Sequence, residues 1–508
     1  MLAGALQAAS TAWPFAIPTG LAGLGLSRGQ PIWWLQLLSL ASLVVLLKRA
    51  PNARQAAWRG WFFTLAWLAS TFAWLFTSMH TYGGLPAPLA VLAVLALAGA
   101  LAIYYAAVCW YFWPLAHTNK GLAAIVFGSL WLLAELARGQ WLTGFGWGAV
   151  GYAQVNGPLQ PLMAWVGMYG ATWVAAVVAA LLAGVLTVPA LKQKLQACVI
   201  LLAWLVLPSA LPEPSGADRG ELSVTLLQGN IAQEEKFEPA TGILQALRWY
   251  SAQLQASQSA LIITPETALA VLPEQLPDGY WRAIQQRFAS GEQAALVGLP
   301  LGGFSQGYTN SVVGFKPGQE VPWRYDKHHL VPFGEFIPPM FRWFTDLMHI
   351  PLGDFSRGAL PQPTFDWQGQ RLAATVCYEN LYSNELATQF VDAAKAPTIL
   401  FNISNLGWFG EHLAMEQHLQ IARMRALEFD RPFLLATNTG HTAIVNRFGD
   451  ITHAAPPHTA VALQGVVQGR TGLTPYASWM ARFGLWPLWL AALAVVLMAV
   501  LLRRRRYP

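Results

Sequence analysis

Three residues in this chain carry side chains suited to covalent acyl chemistry. Cys377 closes RLAATVCYEN (371–380), Glu266 follows the apolar run of ALIITPET (260–267), and Lys327 lies in RYDKHHLVPFGE (324–335). A thiol nucleophile needs a base to take its proton. A carboxylate can serve if an apolar pocket raises its pKa toward neutrality. The tetrahedral oxyanion that follows needs a fixed positive charge and backbone N–H donors. Glu, Lys and Cys supply these roles, and all three read as strand-end positions. Taken alone, a thiol at a strand end is more often a packing residue, and a lone lysine is more often solvated.

The other reactive side chains read as structural. Three cysteines allow at most one disulfide. Cys109 and Cys198 lie in apolar segments and read as small buried hydrophobes, which leaves Cys377 unpaired. No CxxC or Cys/His cluster suggests a metal. His328 and His329 read as hydrogen-bonding residues, and His418 as a turn anchor. Gly302-Gly303 and Gly472 lack the spacing of a phosphate loop. The expectation is therefore no metal and no cofactor.

The elements that must position these residues fall into two kinds. The chain is 55% hydrophobic and only 11% charged, against about 25% charged in soluble domains. Its mean hydropathy is +0.38 and it holds 24 Trp, many near the ends of apolar runs, as in interfacial belts. Apolar segments at about 2–26, 31–47, 60–78, 88–115, 121–137, 162–188, 195–211 and 484–502 predict eight membrane spans. The expected domains are a seven-span membrane domain (1–212), a polar domain (213–480), and an eighth span with a basic tail (481–508).

With the N-terminus inside, inner loops hold Lys48, Arg49, Arg54, Arg59, Lys120, Lys192, Lys194 and Arg503 to Arg506, and outer loops hold only Arg28 and Arg138. That asymmetry places both termini in the cytoplasm and the polar domain outside it, in a bacterium the periplasm. The net charge of +6 lies in these short loops, which fits membrane topology and gives no nucleic-acid surface.

Within the polar domain, strand patterns at 221–231, 260–267, 293–302, 308–318, 371–380, 396–405 and 432–449 alternate with helical patterns at 241–257, 276–290, 381–394 and 411–430. This alternation predicts a layered α/β fold with its site at the strand ends.

The order PET, YDKHHLVPFGE, VCYEN resembles the nitrilase superfamily, whose members use a Glu–Lys–Cys triad. Further stretches narrow the resemblance to the membrane-embedded apolipoprotein N-acyltransferase family. They are LTGFGWGAVGYAQ (142–154), LQGNIAQEEKF (227–237), KHHLVPFGEFIP (327–338), DFSRG (354–358), EQHLQIARMRALE (416–428), ATNTG (436–440) and GLTPY (472–476). The resemblance implies an αββα nitrilase-like sandwich carried on an α-helical membrane bundle. It implies Glu266 as general base, Lys327 as the stabilising charge and Cys377 as nucleophile. Glu335, Tyr378 and Glu379 match supporting positions. From the chemistry, the Tyr378 N–H is expected to contribute to the oxyanion hole and Glu335 to orient Lys327.

Candidate substrate contacts are Asn230 and Phe237 in LQGNIAQEEKF, Phe336, and Trp408. Phe237 stands where the family usually has Trp, and keeps the apolar face without the indole N–H. Asn405-Leu406, Ala414-Met415 and Thr439 are further departures, none of them in the triad. The aromatic stretch 336–353 is expected to form a lid that dips toward the membrane.

The activity implied by the resemblance is transfer of an acyl chain from a membrane phospholipid, through a Cys377 thioester, to the α-amine of a diacylglyceryl-cysteine at the N-terminus of an apolipoprotein. The partners are then a phospholipid and an apolipoprotein, for a monomeric enzyme. The alternative is a membrane-tethered amidohydrolase with water as second acceptor. A channel reading rests on Glu135 and Arg138, placed poorly for conduction near the end of a span.

Overall fold

The computed structural model describes residues 1–16, 26–118, 122–187, 191–303, 307–338 and 355–506. The chain divides into two compact units: Met1–Phe76, Pro86–Glu213 and Phe483–Pro508 form one, and Thr77–Leu85 and Pro214–Arg482 the other.

The first unit is helical. Among the described residues four helices are long and apolar enough to cross a membrane: Ala87–Ala116, Gln160–Thr187, Leu191–Ala210 and Trp486–Arg505. A fifth is added if Ala53–Thr71 and Leu75–Tyr82, which meet at a 62° bend, form one span. The remaining expected segments differ for identifiable reasons. Trp33–Lys48 is apolar but only 16 residues long. Leu2–Thr11 has 10 residues, and 17–25 lie outside the described residues. Ala123–Gln140 carries Glu135 and Arg138.

That pair is buried and internally satisfied. Arg138 Nη2 lies 2.7 Å from Glu135 Oε2. Its other nitrogens donate to the Tyr105 hydroxyl and to the Phe145 and Trp147 carbonyls. Such a cluster locks helices together and leaves no loose charge for conduction. Cys109 is fully buried against Gly60, as a packing residue.

The described residues of the second unit form twelve strands. In chain order they are β1 (Asp218–Gln228), β2 (Leu261–Ile263), β3 (Ala294–Gly303), β4 (Gly307–Phe315), β5 (Trp323–Asp326), β6 (Phe365–Trp367), β7 (Gln370–Val376), β8 (Ile399–Ser404), β9 (Phe433–Thr437), β10 (Ala443–Val445), β11 (Ile451–Ala454) and β12 (Val461–Arg470). They form two six-stranded sheets, ordered β12-β1-β2-β3-β4-β5 and β11-β10-β9-β8-β7-β6.

The sheets meet face to face, with Gly298 of β3 against Ile403 of β8. Helices cover the outer faces. Leu247, Tyr250 and Leu254 of Leu244–Ala256, with Ile284 and Phe288 of Tyr280–Ala289, share a buried core with Ile262, Val297 and Phe315 of the first sheet. Ala414–Phe429 packs on the second sheet beside β9. These are the four layers of the expected sandwich.

Several expected strands end early because their own residues break the ladder. The 260–267 strand stops at Ile263, since Pro265 has no N–H to donate. The 371–380 strand stops at Val376, because Cys377 takes a φ of 55° and opens a 3-10 turn over Cys377–Leu381. The 432–449 strand splits into β9 and β10, with the Thr437 N–H donating to the Thr442 hydroxyl at the break. The 381–394 helix is two short pieces, Ser383–Ala387 and Thr388–Phe390. β5, β6, β11 and β12 lie outside the expected strands: the first three have only three or four residues, and β12 is an edge strand whose glycines and glutamines hide the period of two.

Candidate active site

Strand register brings the candidate residues together. β2 runs parallel between β1 and β3, and its extension beyond Ile263 carries Glu266. The Pro265 carbonyl lies so close to Gly298 that any Cβ there would collide with it. β4 and β5 pair antiparallel with Ser311 opposite Asp326, so the next rung sets Lys327 beside Asn310, and the Lys327 N–H donates to the Asn310 carbonyl at 2.8 Å. In the other sheet β7 and β8 run parallel with Thr375 opposite Asn402, and Cys377 follows at the end of β7.

The result is one buried charge cluster. Lys327 Nζ lies 2.9 Å from Glu335 Oε1 and 3.3 Å from Glu266 Oε1. Asn310 Nδ2 donates to the same two carboxylate oxygens, at 2.7 Å each. Glu335 Oε2 accepts from the Val331 N–H at 2.8 Å. Glu266 Oε2 accepts from the Asn405 N–H at 2.8 Å, so this carboxylate is gripped from both sheets. The Cys377 thiol faces this cluster, where the Glu266 and Lys327 charges act on it.

The electrostatics depart from one expectation. Burial pushes the Glu266 carboxyl up. However, the Lys327 ammonium, the Asn310 hydrogen bond, Lys236 and the Asn405 N–H outweigh it and hold the group below its ordinary value. Glu266 is thus held ionised and not neutralised, because the Lys327 ammonium and hydrogen-bond donors line its pocket. Burial also opposes the charge of Lys327, but Glu335, Glu266 and the thiol keep the ammonium well above its ordinary value. Burial and the Glu266 charge both push the Cys377 thiol up, against the pull of Lys327. In the free protein the proton therefore stays on sulfur.

The Cys377 turn is held in its left-handed conformation by tethers on its carbonyl. Asn402 Nδ2 donates to Cys377 O at 2.8 Å and to Thr375 Oγ1 at 2.9 Å. His418 Nε2 lies 3.3 Å from the same carbonyl, which gives the expected turn anchor its place. Glu379 binds this turn to the lysine segment. Its oxygens accept from the N–H groups of Val376 (2.6 Å), His328 (2.6 Å) and His329 (3.0 Å) and from the Tyr325 hydroxyl (3.1 Å). Burial pushes Glu379 up to about 7, against those backbone donors and Lys327. Tyr378 donates its hydroxyl to the Leu330 carbonyl at 3.0 Å. The imidazoles are engaged: His328 Nδ1 with the Gly358 carbonyl, and His329 Nδ1 with Glu385, its ring stacked on Tyr382.

The candidate substrate contacts are not all gathered here. Phe237 is about half exposed, at 48%, and its ring packs 6.3 Å from Trp408, which meets Tyr82 edge-on at 5.7 Å. Phe336 follows Glu335 directly, and the Arg357 guanidinium lies 5.2 Å from its ring centre. Asn230, by contrast, bonds to the backbone of His458 and Asn438 and not to the charge cluster. The expected lid, 336–353, lies outside the described residues from 339 onward.

Comparison with known proteins fits this arrangement. Residues 19–181 match the family model for the apolipoprotein N-acyltransferase N-terminal domain, and residues 223–476 match that for carbon-nitrogen hydrolase. An apolipoprotein N-acyltransferase of Verminephrobacter eiseniae is 49% identical, over 96% of this chain and 92% of its own. The chain belongs to the apolipoprotein N-acyltransferase family. Enzymes of the same name from Ralstonia nicotianae (42% identical, 93% of this chain, 90% of theirs) and Bordetella bronchiseptica (40%, 94% and 93%) are also similar along nearly their whole length. The αββα unit is thus the carbon-nitrogen hydrolase part of an acyltransferase.

Four residues of this site escaped the sequence reading. Asn310 and Asn402 sit in the otherwise apolar strands YTNSVVGF and ILFNIS, and a buried polar residue in such a run was the available signal. Asn405 was noted only as a departure. Lys236 is 2% exposed, and its Nζ donates to the Glu266 carbonyl at 3.1 Å. In QEEKF it looks like any solvated lysine, and its place in the family-like stretch LQGNIAQEEKF was the available signal.

Proposed function

We propose that this family member transfers an acyl chain in two steps through Cys377. Glu266 takes the thiol proton as sulfur attacks the ester carbonyl of a membrane phospholipid. The tetrahedral oxyanion is met by Lys327 and by the Tyr378 N–H, in the first turn of a helix where N–H groups lack intrahelical acceptors. Collapse breaks the C–O bond, Glu266 returns its proton to the leaving lysophospholipid oxygen, and a thioester remains. The α-amine of a diacylglyceryl-cysteine then attacks the thioester, forming an amide and restoring the thiol. No ATP is needed, because the thioester retains the reactivity of the ester.

The observation that carries this reading is the buried junction of Glu266, Lys327 and Cys377, three residues from separate strand ends. Glu335 orients Lys327 in it, Glu379 supports the nucleophile turn, and Phe237, Phe336 and Trp408 contact acyl chains. The same reading takes residues 1–212 as seven spans, 213–480 as a periplasmic catalytic domain and 481–508 as an eighth span with a cytoplasmic tail. The enzyme then works as a monomer of the bacterial inner membrane.

The test is acyl transfer to a diacylated lipopeptide in phospholipid vesicles. Cys377→Ala is expected to abolish it, and full activity in that variant sinks the mechanism. Discharge of the parent's thioester to water in place of the amine would favour the amidohydrolase alternative.

A further inference from the structure

Two buried lysines stand at this site in opposite electrical situations. Lys327 is flanked by two carboxylates, at 2.9 and 3.3 Å, and stays an ammonium. Among the described residues Lys236 reaches only a neutral acceptor, the backbone carbonyl of Glu266, at 3.1 Å. Its segment lies against the same cluster: Gln233, three residues earlier, accepts from Asn405, whose N–H holds Glu266 Oε2. A buried ammonium with no carboxylate in ion-pair contact is costly, and the usual outcome is a neutral amine.

The two-step reading above, on which this inference rests, leaves a proton without a destination. The acceptor α-amine, with an ordinary pKa of roughly 7.7–8.0, enters largely as an ammonium near neutral pH. When the N–C bond forms and the C–S bond breaks, nitrogen goes from three protons to one. One proton restores the thiol by way of Glu266, which holds a single proton at a time. The other must go elsewhere, and Lys327 is already fully protonated.

We infer that Lys236 accepts the second proton, deprotonating the incoming α-ammonium so that it can attack the thioester, and then releases it to solvent. Burial lowers the Lys236 amine to about 7, against the charges of Glu266 and Cys377 that face it. Glu234, Glu235 and Glu238, on its own segment, are exposed. The Cys377 thiol and its thioester are both uncharged, so the amine is available in the acyl-enzyme as it is in the free enzyme.

The experiment separates the half-reactions in the full-length enzyme. Loading is followed as the acyl adduct formed with phospholipid alone. Discharge is followed on adding a diacylated lipopeptide, from pH 6 to 9.5. Lys236→Met is expected to slow discharge at pH 7 on the order of 10²-fold, the usual span of a lost proton acceptor, and to slow loading far less. Above pH 9 the acceptor arrives as the free amine, so the defect should shrink to a few-fold. Lys236→Arg, which keeps a charge it cannot release, should show the same pH-dependent defect. A defect of equal size at every pH, or equal slowing of both half-reactions, overturns the inference and makes Lys236 a packing residue. Normal discharge from a loaded Lys236→Met enzyme overturns it while leaving the two-step reading intact. Transfer by the parent without acylation of Cys377 overturns both.

Discussion

Replacing Asn402 with Ala tests whether the nucleophile depends on its tethers. Asn402 is fully buried and donates to Cys377 O at 2.8 Å and Thr375 Oγ1 at 2.9 Å. A non-glycine residue held at a left-handed φ, here 55°, stores about 1–3 kcal/mol. That conformation persists only while its surroundings hold it. Each neutral hydrogen bond contributes roughly 1 kcal/mol net. Losing the Asn402 pair should therefore lower stability by about 2 kcal/mol. It leaves the Cys377 carbonyl with the longer His418 contact at 3.3 Å. Of that loss, about 1 kcal/mol weighs directly against the bound geometry of the turn, equivalent to acyl-enzyme formation slower by roughly fivefold.

The assay is the rate of acyl-enzyme formation, read as intact mass, on variants whose far-ultraviolet circular dichroism matches the parent. His418→Ala alone should cost less. The double variant should lose more than the sum, because no tether then remains. Asn402→Asp, which turns an acceptor toward the Cys377 carbonyl, should be at least as slow as Asn402→Ala. Acylation within twofold of the parent in folded Asn402→Ala would show that the turn holds itself, and the argument from strain would fail.

Other expectations follow from the charges. Glu266→Gln keeps the shape but cannot accept the thiol proton, so loading should fall about 10²–10⁴-fold, checked by the same adduct assay. Glu335→Gln removes the nearer carboxylate from Lys327 and leaves a buried ammonium half-compensated; it should lower thermal stability in detergent by roughly 3 kcal/mol and slow loading, whereas an unchanged melting profile would count against the pairing. The Glu266 contribution to loading should also be insensitive to mild acid. Because the Glu266 pKa is depressed, its ionised form is present above the ordinary carboxylate value of about 4.5 and is lost only as pH falls below it. Glu379, pushed up to about 7, titrates inside that window, so the rapid-mixing series from pH 7 to 5 compares the parent with Glu379→Gln, in which loading should stay level. A tenfold fall per unit beginning near pH 6 that persists in Glu379→Gln would mean that Glu266 is raised and not depressed.

Much of this site was legible because its residues sit at breaks in strong patterns. Cys377 ends an apolar strand and Glu266 follows a proline that stops one, and such breaks are visible in residue types alone. The charge state of Glu266 was not legible, because it depends on Asn310, Lys236 and Asn405, which approach from other strands and loops. The same holds for the roles of Glu379 and Asn402. Each binds backbone groups brought near by sheet register, which no local spacing encodes. Asn230 shows the converse: it lies in a motif rich in site residues, yet its own bonds tie the backbone near His458 and Asn438. Span number was hardest to read from hydropathy alone. Short and bent helices, and a helix carrying an internal ion pair, blur the difference between a span and a buried helix.

The most direct test of a covalent route is the mass of the enzyme itself. Full-length protein incubated with phospholipid alone, without any amine acceptor, should gain one acyl chain on Cys377. Hydroxylamine should remove it, addition of a diacylated lipopeptide should discharge it as an amide, and Cys377→Ala should never acquire it. Transfer to the lipopeptide by an enzyme that carries no acyl adduct, or an adduct that survives in Cys377→Ala, would contradict the account.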